Sequence, residues 1–237
     1  MLTLGAPKDK VFVTGNLKFD LAFLESGAKR KEIRESLNIS DEEILLIAGS
    51  THKGEEEDVV ECFLRLKKEY ASLRLLIAPR HVERTQEIIK LLSRHGFESV
   101  RFSFLNVSTL HSSPSTLHPV FILYTIGDLK SIYSAADIVF VGGSLVKKGG
   151  QNPIEPASLA KPVIFGKFTF NFNDVINSFL ENGAGIQVDN KDELCSAIRF
   201  LVNDPKERRR LGINAKDTVT KNSGSSQRTI DLILSTL

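Results

Sequence analysis

The stretch DIVFVGGSLVKKGGQNPIEPASLAKPVIFG, residues 137–166, decides the fold. It reads strand, glycine-rich loop, helix, strand. Ile138, Val139, Phe140 and Val141 form a short apolar run of β-branched and aromatic residues, the composition of a strand buried on both faces of a parallel sheet. Gly142, Gly143 and Ser144 end it, and a second pair, Gly149 and Gly150, leads to Asn152, Pro153 and Glu155. Asn152 fits a helix N-cap, Pro153 the first helical position, and Glu155 stands three residues after the cap. Pro162, Val163, Ile164 and Phe165 open the next buried strand.

Two readings of Asn152 and Glu155 stand side by side. In one they form a capping box, with Glu155 reaching back to the backbone amide of Asn152. In the other they belong to a sugar-nucleotide site: a carboxylate at a helix start accepts hydrogen bonds from ribose hydroxyls, and glycine loops let backbone approach a phosphate. The glycine pairs at a strand end favour a ligand, because open α/β sheets bind ligands at the carboxyl ends of their strands.

The pattern repeats on the amino-terminal side. Residues 44–48 (ILLIA) read as a buried strand followed by Gly49, Ser50, Thr51 and His52 and then a helix carrying Val59, Val60, Phe63 and Leu66 inward. This turn either holds an anion or is a plain βα turn capped by Ser50 or Thr51. The acidic run 55–58 suits the helix dipole but repels a phosphate at that terminus. Residues 73–78 (LRLLIA) form the next strand and end at Pro79, Arg80 and His81; a guanidinium on that rim can bind a phosphate or carboxylate bidentately. Val100, Phe102 and Phe104 alternate as a strand, and the Ser, Thr and Pro-rich residues 106–119, with His111 and His118, read as an exposed loop. Residues 120–125 (VFILYT) are another strand, ending at Ile126, Gly127 and Asp128 before a short helix with Leu129, Ile132 and Tyr133.

At the ends the pattern is plainer. Val11, Phe12 and Val13 give a short strand signal, and residues 28–37 a charged helix whose basic cluster reads as a solvated face. Beyond residue 166 come an aromatic, Asn-rich loop (168–173), a helix, a short strand (185–188), a helix with Leu194, Ile198, Leu201 and Val202 inward, and a helix from Pro205 bearing KERRR (206–210). That basic run reads as a solvated helix face, or as a contact for an anionic membrane surface. Ile230, Ile233, Leu234 and Leu237 recur at helical spacing, so the last helix is expected to dock on the core.

The alternation βαβα with about six short strands predicts an α/β fold: one Rossmann-like, doubly wound parallel sheet in a single domain over 1–237. Its rim turns predict one cleft built from Ser50, Thr51, Arg80, Gly127, Gly143, Asn152 and Glu155. Neither a Ser-His-Asp set, a GxSxG elbow, a P-loop lysine nor a metal-ligand spacing is present in the sequence.

Composition sets the bounds. At 237 residues, 41% hydrophobic and 25% charged, the chain is an ordinary globular protein. A net charge of +2 gives no reason to expect nucleic acid. No apolar run approaches the roughly 20 residues of a membrane span, and MLTLGAPKDK has no signal-peptide core. Cys62 and Cys195 are read as buried small hydrophobes in a reduced, cytoplasmic compartment.

Five stretches taken together resemble a known family: VTGNLKFD (13–20), AGSTHKGEE (48–56), LLIAPRHVER (75–84), residues 124–166, and FNFNDV (170–175). In family order and across nearly the whole chain, they are similar to the carboxy-terminal half of the 3-deoxy-D-manno-octulosonic acid (Kdo) transferases of lipopolysaccharide synthesis. The resemblance implies a donor-binding domain of a glycosyltransferase B fold. It implies a donor, CMP-Kdo, and a lipid A precursor (lipid IVA) as acceptor at the cytoplasmic face of the inner membrane, with inverting, metal-independent transfer and no cofactor. By motif, Ser50, Thr51, Arg80 and His81 would lie at the phosphate and donor sugar, Gly127 and Leu129 at the cytosine, and Asn152 and Glu155 at the phosphate side and ribose. Lys18, Gly143, Ser144, Lys147 and Gln151 are further donor-site candidates.

Two departures matter. The family usually has histidine where this chain has Gln151, which hydrogen-bonds but does not titrate. The family's amino-terminal acceptor domain, which carries the membrane anchor and a glutamate general base, has no counterpart in the sequence, so no catalytic residue is assigned. The chain is expected to bind donor weakly and to transfer nothing unaided, with a separate amino-terminal half as a candidate partner. Other readings are the donor half of another sugar-nucleotide glycosyltransferase, a sugar-nucleotide epimerase, or a stand-alone nucleotide-binding module.

Overall fold

The computed structural model describes residues 2–23, 30–103 and 119–236. Phe104, His111 and His118, and most of the polar loop read around them, lie outside those residues.

Seven strands form one sheet: β1 (Ile44–Thr51), β2 (Leu73–Pro79), β3 (Ser99–Phe102), β4 (Val120–Leu123), β5 (Ile138–Val141), β6 (Val163–Gly166) and β7 (Ile186–Val188). Their order is β3-β4-β2-β1-β5-β6-β7, and every pairing is parallel. The continuous apolar runs follow from this, since alternate residues must satisfy opposite faces. Leu45, Ile47, Val139, Val141, Val163 and Phe165 pack on one face, and Leu46, Ala48, Ile138, Phe140 and Ile164 on the other. The first face is covered by α5 (Ile154–Ser158), α6 (Asn173–Glu181) and α8 (Pro205–Asn222), and the second by α2 (Glu55–Lys67), α3 (Thr85–Arg94) and α7 (Lys191–Asn203). Both cysteines are buried in this second layer, Cys62 on α2 and Cys195 on α7.

The chain leaves central β1 toward β2 and returns to β1's other side as β5. The order reverses between β1 and β5, so the carboxyl ends of those strands flank the crevice that such sheets use for ligands.

Three expectations at the ends need correction. Val11, Phe12 and Val13 form no strand: the segment follows a 3-10 turn (Lys8–Lys10), and Val13 is 94% exposed. It is held instead to the last helix, α9 (Ser225–Thr236), by Arg228 Nε donating to the Thr14 carbonyl (2.8 Å) and by a Thr229–Thr14 hydroxyl bond (2.9 Å). Asp20 caps α9, accepting from the amides of Gly224 and Ser226 at 2.6 Å, and these bonds lower its pKa, led by the Ser226 hydroxyl. Second, α9 does not dock its apolar stripe on the core: Ile230, Ile233 and Leu234 are 49, 53 and 66% exposed. Helical spacing shows that a stripe exists, not what covers it. Third, the basic cluster of α1 (Arg30–Ser36) is only partly solvated. Lys31 is exposed, but Arg34 is buried and, with Arg30, grips Asp137 at the start of β5.

Candidate functional site

The site is built from the turns after β1, β2, β4 and β5. Ser50, at the end of β1, has a left-handed φ of 54°, and the β1–β2 register slips between Gly49 and Thr51. A non-glycine residue held in that conformation is strained, a cost that persists where the surroundings over-determine it. Ser50 lines a small cleft of about 70 Å³ with Arg80, Thr125, Ile126, Gly127 and Leu129, over a floor of Ala78, Pro79 and Leu123. The structure thus brings Ser50, Arg80, Gly127 and Leu129 together from three separate turns. Gly127 has φ +95°, with open space where a side chain would stand.

Asn152 and Glu155 flank the opposite side of the switch point. The Asn152 side-chain amide donates to Glu155 Oε1 (3.1 Å), while its carbonyl oxygen accepts from the amide of Ile154 (3.1 Å). The helix starts one residue later than expected, at Ile154. The box expected there is therefore altered: Glu155 receives the Asn152 side chain rather than its backbone amide. Burial raises the Glu155 pKa, while Asn152, Lys130 and Arg80 pull it down. Burial also raises the pKa of Tyr133, and Glu155 adds to it. The Tyr133 ring packs where any side chain at Gly49 would stand.

His52 is the rim residue that the sequence reading passed over. It is half-buried, its ring 5.7 Å from that of His81 in an edge contact, and its Nε2 lies 3.1 Å from Nε2 of Gln151. Burial lowers its pKa, and His81, Lys148, Arg80 and Arg84 lower it further. Arg80 and Lys148 therefore give this rim positive charge suited to phosphate, with the His52 and His81 rings beside them as hydrogen-bonding groups.

Other candidates are placed differently. Thr51 is fully buried and its hydroxyl donates to Glu56, itself held by Arg84 at 2.7 Å. Ser144 is also buried; its hydroxyl donates to the Val141 carbonyl and accepts from the Gly166 amide, joining the ends of β5 and β6. Lys147 is exposed. Lys18 donates to the Asn171 carbonyl (2.8 Å) and lies over the Phe172 ring, beside the 168–173 loop and away from the cleft lining. Gly143 does not face an empty nest: its amide donates to Glu55 (2.6 Å). Among the described residues, the grouping with metal-ligand spacing is Glu57, Glu61 and His95, on α2 and just past α3 rather than on this rim. No helix among them is long and apolar enough to cross a membrane.

Comparison with known proteins agrees with this architecture. The family model described as glycosyl transferases group 1 matches residues 116–218. Over 98% of its length the chain is 37% identical to a 3-deoxy-D-manno-octulosonic acid transferase of Haemophilus influenzae, covering 53% of that protein. Over 86% of its length it is 33% identical to the transferase of the same name from Aquifex aeolicus, covering 51% of it. The chain thus spans about half the length of these curated relatives. Among solved structures, the C-terminal CMP-Kdo binding domain of WaaA from Acinetobacter baumannii superposes with a TM-score of 0.68 at 21% identity, covering 79% of this chain and 97% of that one. This likeness shows the fold alone, that of a glycosyltransferase B domain. By sequence and fold, the chain is a relative of the 3-deoxy-D-manno-octulosonic acid transferases, matching about half of each across nearly all of its own length.

Proposed function

We propose that this chain is the donor-binding half of a glycosyltransferase of lipopolysaccharide synthesis, moving Kdo from CMP-Kdo to a lipid A precursor such as lipid IVA. The observation that carries the reading is the meeting of Ser50, Arg80, Gly127 and Leu129 in one cleft at the carboxyl ends of β1, β2 and β4, with Asn152 and Glu155 paired on the turn after neighbouring β5. Each has work to do in such a site. The exposed Arg80 supplies positive charge where a departing nucleotide monophosphate accumulates negative charge, and the rings of His81 and half-buried His52 offer hydrogen bonds beside it. Glu155, oriented by Asn152, accepts hydrogen bonds from ribose hydroxyls. Gly127 and Leu129 form an edge for the base.

We further infer that the 1–237 chain acts as a single nucleotide-binding domain, with inverting, metal-independent transfer requiring a second half that supplies the acceptor site and general base. Two features support this: the chain spans about half the length of its relatives, and α9 with residues 12–17 presents Phe12, Val13, Leu17, Ile230, Ile233 and Leu234 to solvent. Such a patch marks an interaction surface. On this reading the assembled enzyme works at the cytoplasmic face of the inner membrane.

Calorimetric titration with cytidine monophosphate, with uridine monophosphate as control, tests the proposal. The cytidine nucleotide should bind saturably and in preference. Arg80→Ala and Glu155→Ala should each weaken it by roughly ten- to a hundred-fold, the worth of one charge-assisted hydrogen bond. Equal binding of both nucleotides, or indifference to both substitutions, rejects the reading; Kdo transfer to lipid IVA by the chain alone rejects the need for a second half.

A further inference from the structure

The glycine loop after β5 already holds an anion, and the anion belongs to the protein. Glu55, the first residue of α2, is fully buried. Its Oε2 accepts from the amides of His52 (2.9 Å) and Gly143 (2.6 Å), and its Oε1 from those of Ser144 and Leu145, both at 2.9 Å. Gly143 adopts φ +69°, which turns consecutive amides toward one point. Converging backbone N–H groups of this kind are the usual cradle of a phosphate. Here one carboxylate takes four of them and ties the β1 turn to the β5 loop across the switch point. Burial raises the Glu55 pKa while the four amides oppose it.

The loop is short and closed on itself. The Gly150 amide donates to the Gly143 carbonyl (2.8 Å) and the Gln151 amide to that of Gly142 (3.0 Å). A shift at Gly143 therefore passes directly to Gln151 and Asn152, and through Asn152 to Glu155. A phosphate on the same amides would meet the Glu55 carboxylate at contact distance, so the nest is closed to it.

We propose that Glu55 is a positioning residue whose carboxylate fills the 143–145 amide nest in place of a ligand phosphate, setting the loop for donor binding and leaving the donor's phosphate to Arg80, His81, His52 and Lys148. The second half of this statement rests on the nucleotide-binding reading above; the filled nest does not.

The test uses the full chain labelled with ¹⁵N. In Glu55→Ala the amide resonances of residues 143–145 should move. Sodium acetate in the millimolar range should return them toward wild-type positions, while leaving the wild type itself unchanged. Cytidine monophosphate should bind the variant at least ten-fold more weakly, and acetate should restore most of that loss. Amides of 143–145 that ignore acetate overturn the proposal, as does a variant that binds nucleotide as tightly as wild type. Where Glu55→Ala does not fold, Glu55→Gln keeps the volume but sets an NH2 against backbone donors. Hydrogen exchange at 143–145 should then quicken at least ten-fold with β1 and β5 unaffected, and unchanged exchange there overturns the proposal. A wild type that binds no nucleotide rejects the donor-domain reading, while the acetate titration still decides the nest.

Discussion

The two ends of the sheet are both lined with charge, and they use it in opposite ways. At the amino ends of β1 and β5, Asp137 takes Arg30 at 2.9 Å, Arg34 at 3.0 Å and the Leu45 amide at 2.8 Å. Arg34 spends further donors on the carbonyls of Ala135 and Glu43, and Lys161 donates to that of Ala136. Charge there closes on charge. At the carboxyl ends, the buried Glu55 is spent on backbone amides, and among the described residues no ion pair closes on the exposed Arg80. The lower network binds the fold to itself. At the upper rim Glu56 closes on Arg84, but Arg80 stays exposed and Glu155 half-buried beside Asn152, the groups proposed above to meet the donor. Unmatched charge at a switch point is thus a better guide to a site than charge as such.

The largest effect should come from breaking the lower network. Asp137→Asn leaves the buried Arg34 with only the exposed Asp41, at 3.7 Å, as a carboxylate partner, and removing one member of a buried pair costs up to about 3–5 kcal/mol. Urea unfolding should show that loss, while the fraction still folded binds cytidine monophosphate as wild type does. A loss below about 1 kcal/mol would place the stability of this end elsewhere.

A smaller effect sharpens the same contrast by pH. Burial pushes the Lys161 ammonium down to about 8 from 10.5, with Arg30 and Arg34 pushing the same way and Asp137 opposing. Between those values the unfolded chain carries a proton that the folded chain lacks, so stability should rise as pH climbs from about 8 to 10.5. The gain is bounded at about 3 kcal/mol by the size of the shift. Lys161→Met should flatten that difference in paired urea titrations, and an identical slope in both proteins would show that Lys161 keeps its proton on folding.

What could be read in advance follows from the same division. Strands buried on both faces must be apolar throughout, so ILLIA, LRLLIA and IVFV announced the sheet. Ser50, Arg80, Gly127 and Leu129 could be placed on one rim because each follows such a strand. Long-range pairings could not be read. Nothing local in the acidic run 55–58 says that Glu55 turns back to residues 143–145, or that Glu56 holds both Thr51 and Arg84. Val11–Val13 and α9 failed for a related reason: apolar spacing predicts a face, and only the fold shows whether anything lies against it. His52 was passed over because its interest lies in its neighbours, and Gln151 is 99 residues away.

That pair gives the finest test. Burial and the surrounding His81, Lys148, Arg80 and Arg84 lower the His52 pKa below 6.5, so near neutrality its ring is uncharged. Just below that pH the unfolded chain holds more protons at this position, and the apo protein should lose a little stability as pH falls through 6.5. A nucleotide phosphate arriving on the rim reverses the local field. It favours the imidazolium, so binding should take up a fraction of a proton, and affinity should rise roughly two- to five-fold from pH 8 to 6, less than one pKa unit is worth. Calorimetry in two buffers of different ionisation enthalpy reads the uptake directly. His52→Gln should remove it. Were the uptake to survive His52→Gln, the proton would belong to another group, and the upper rim would hold the phosphate by fixed charges alone.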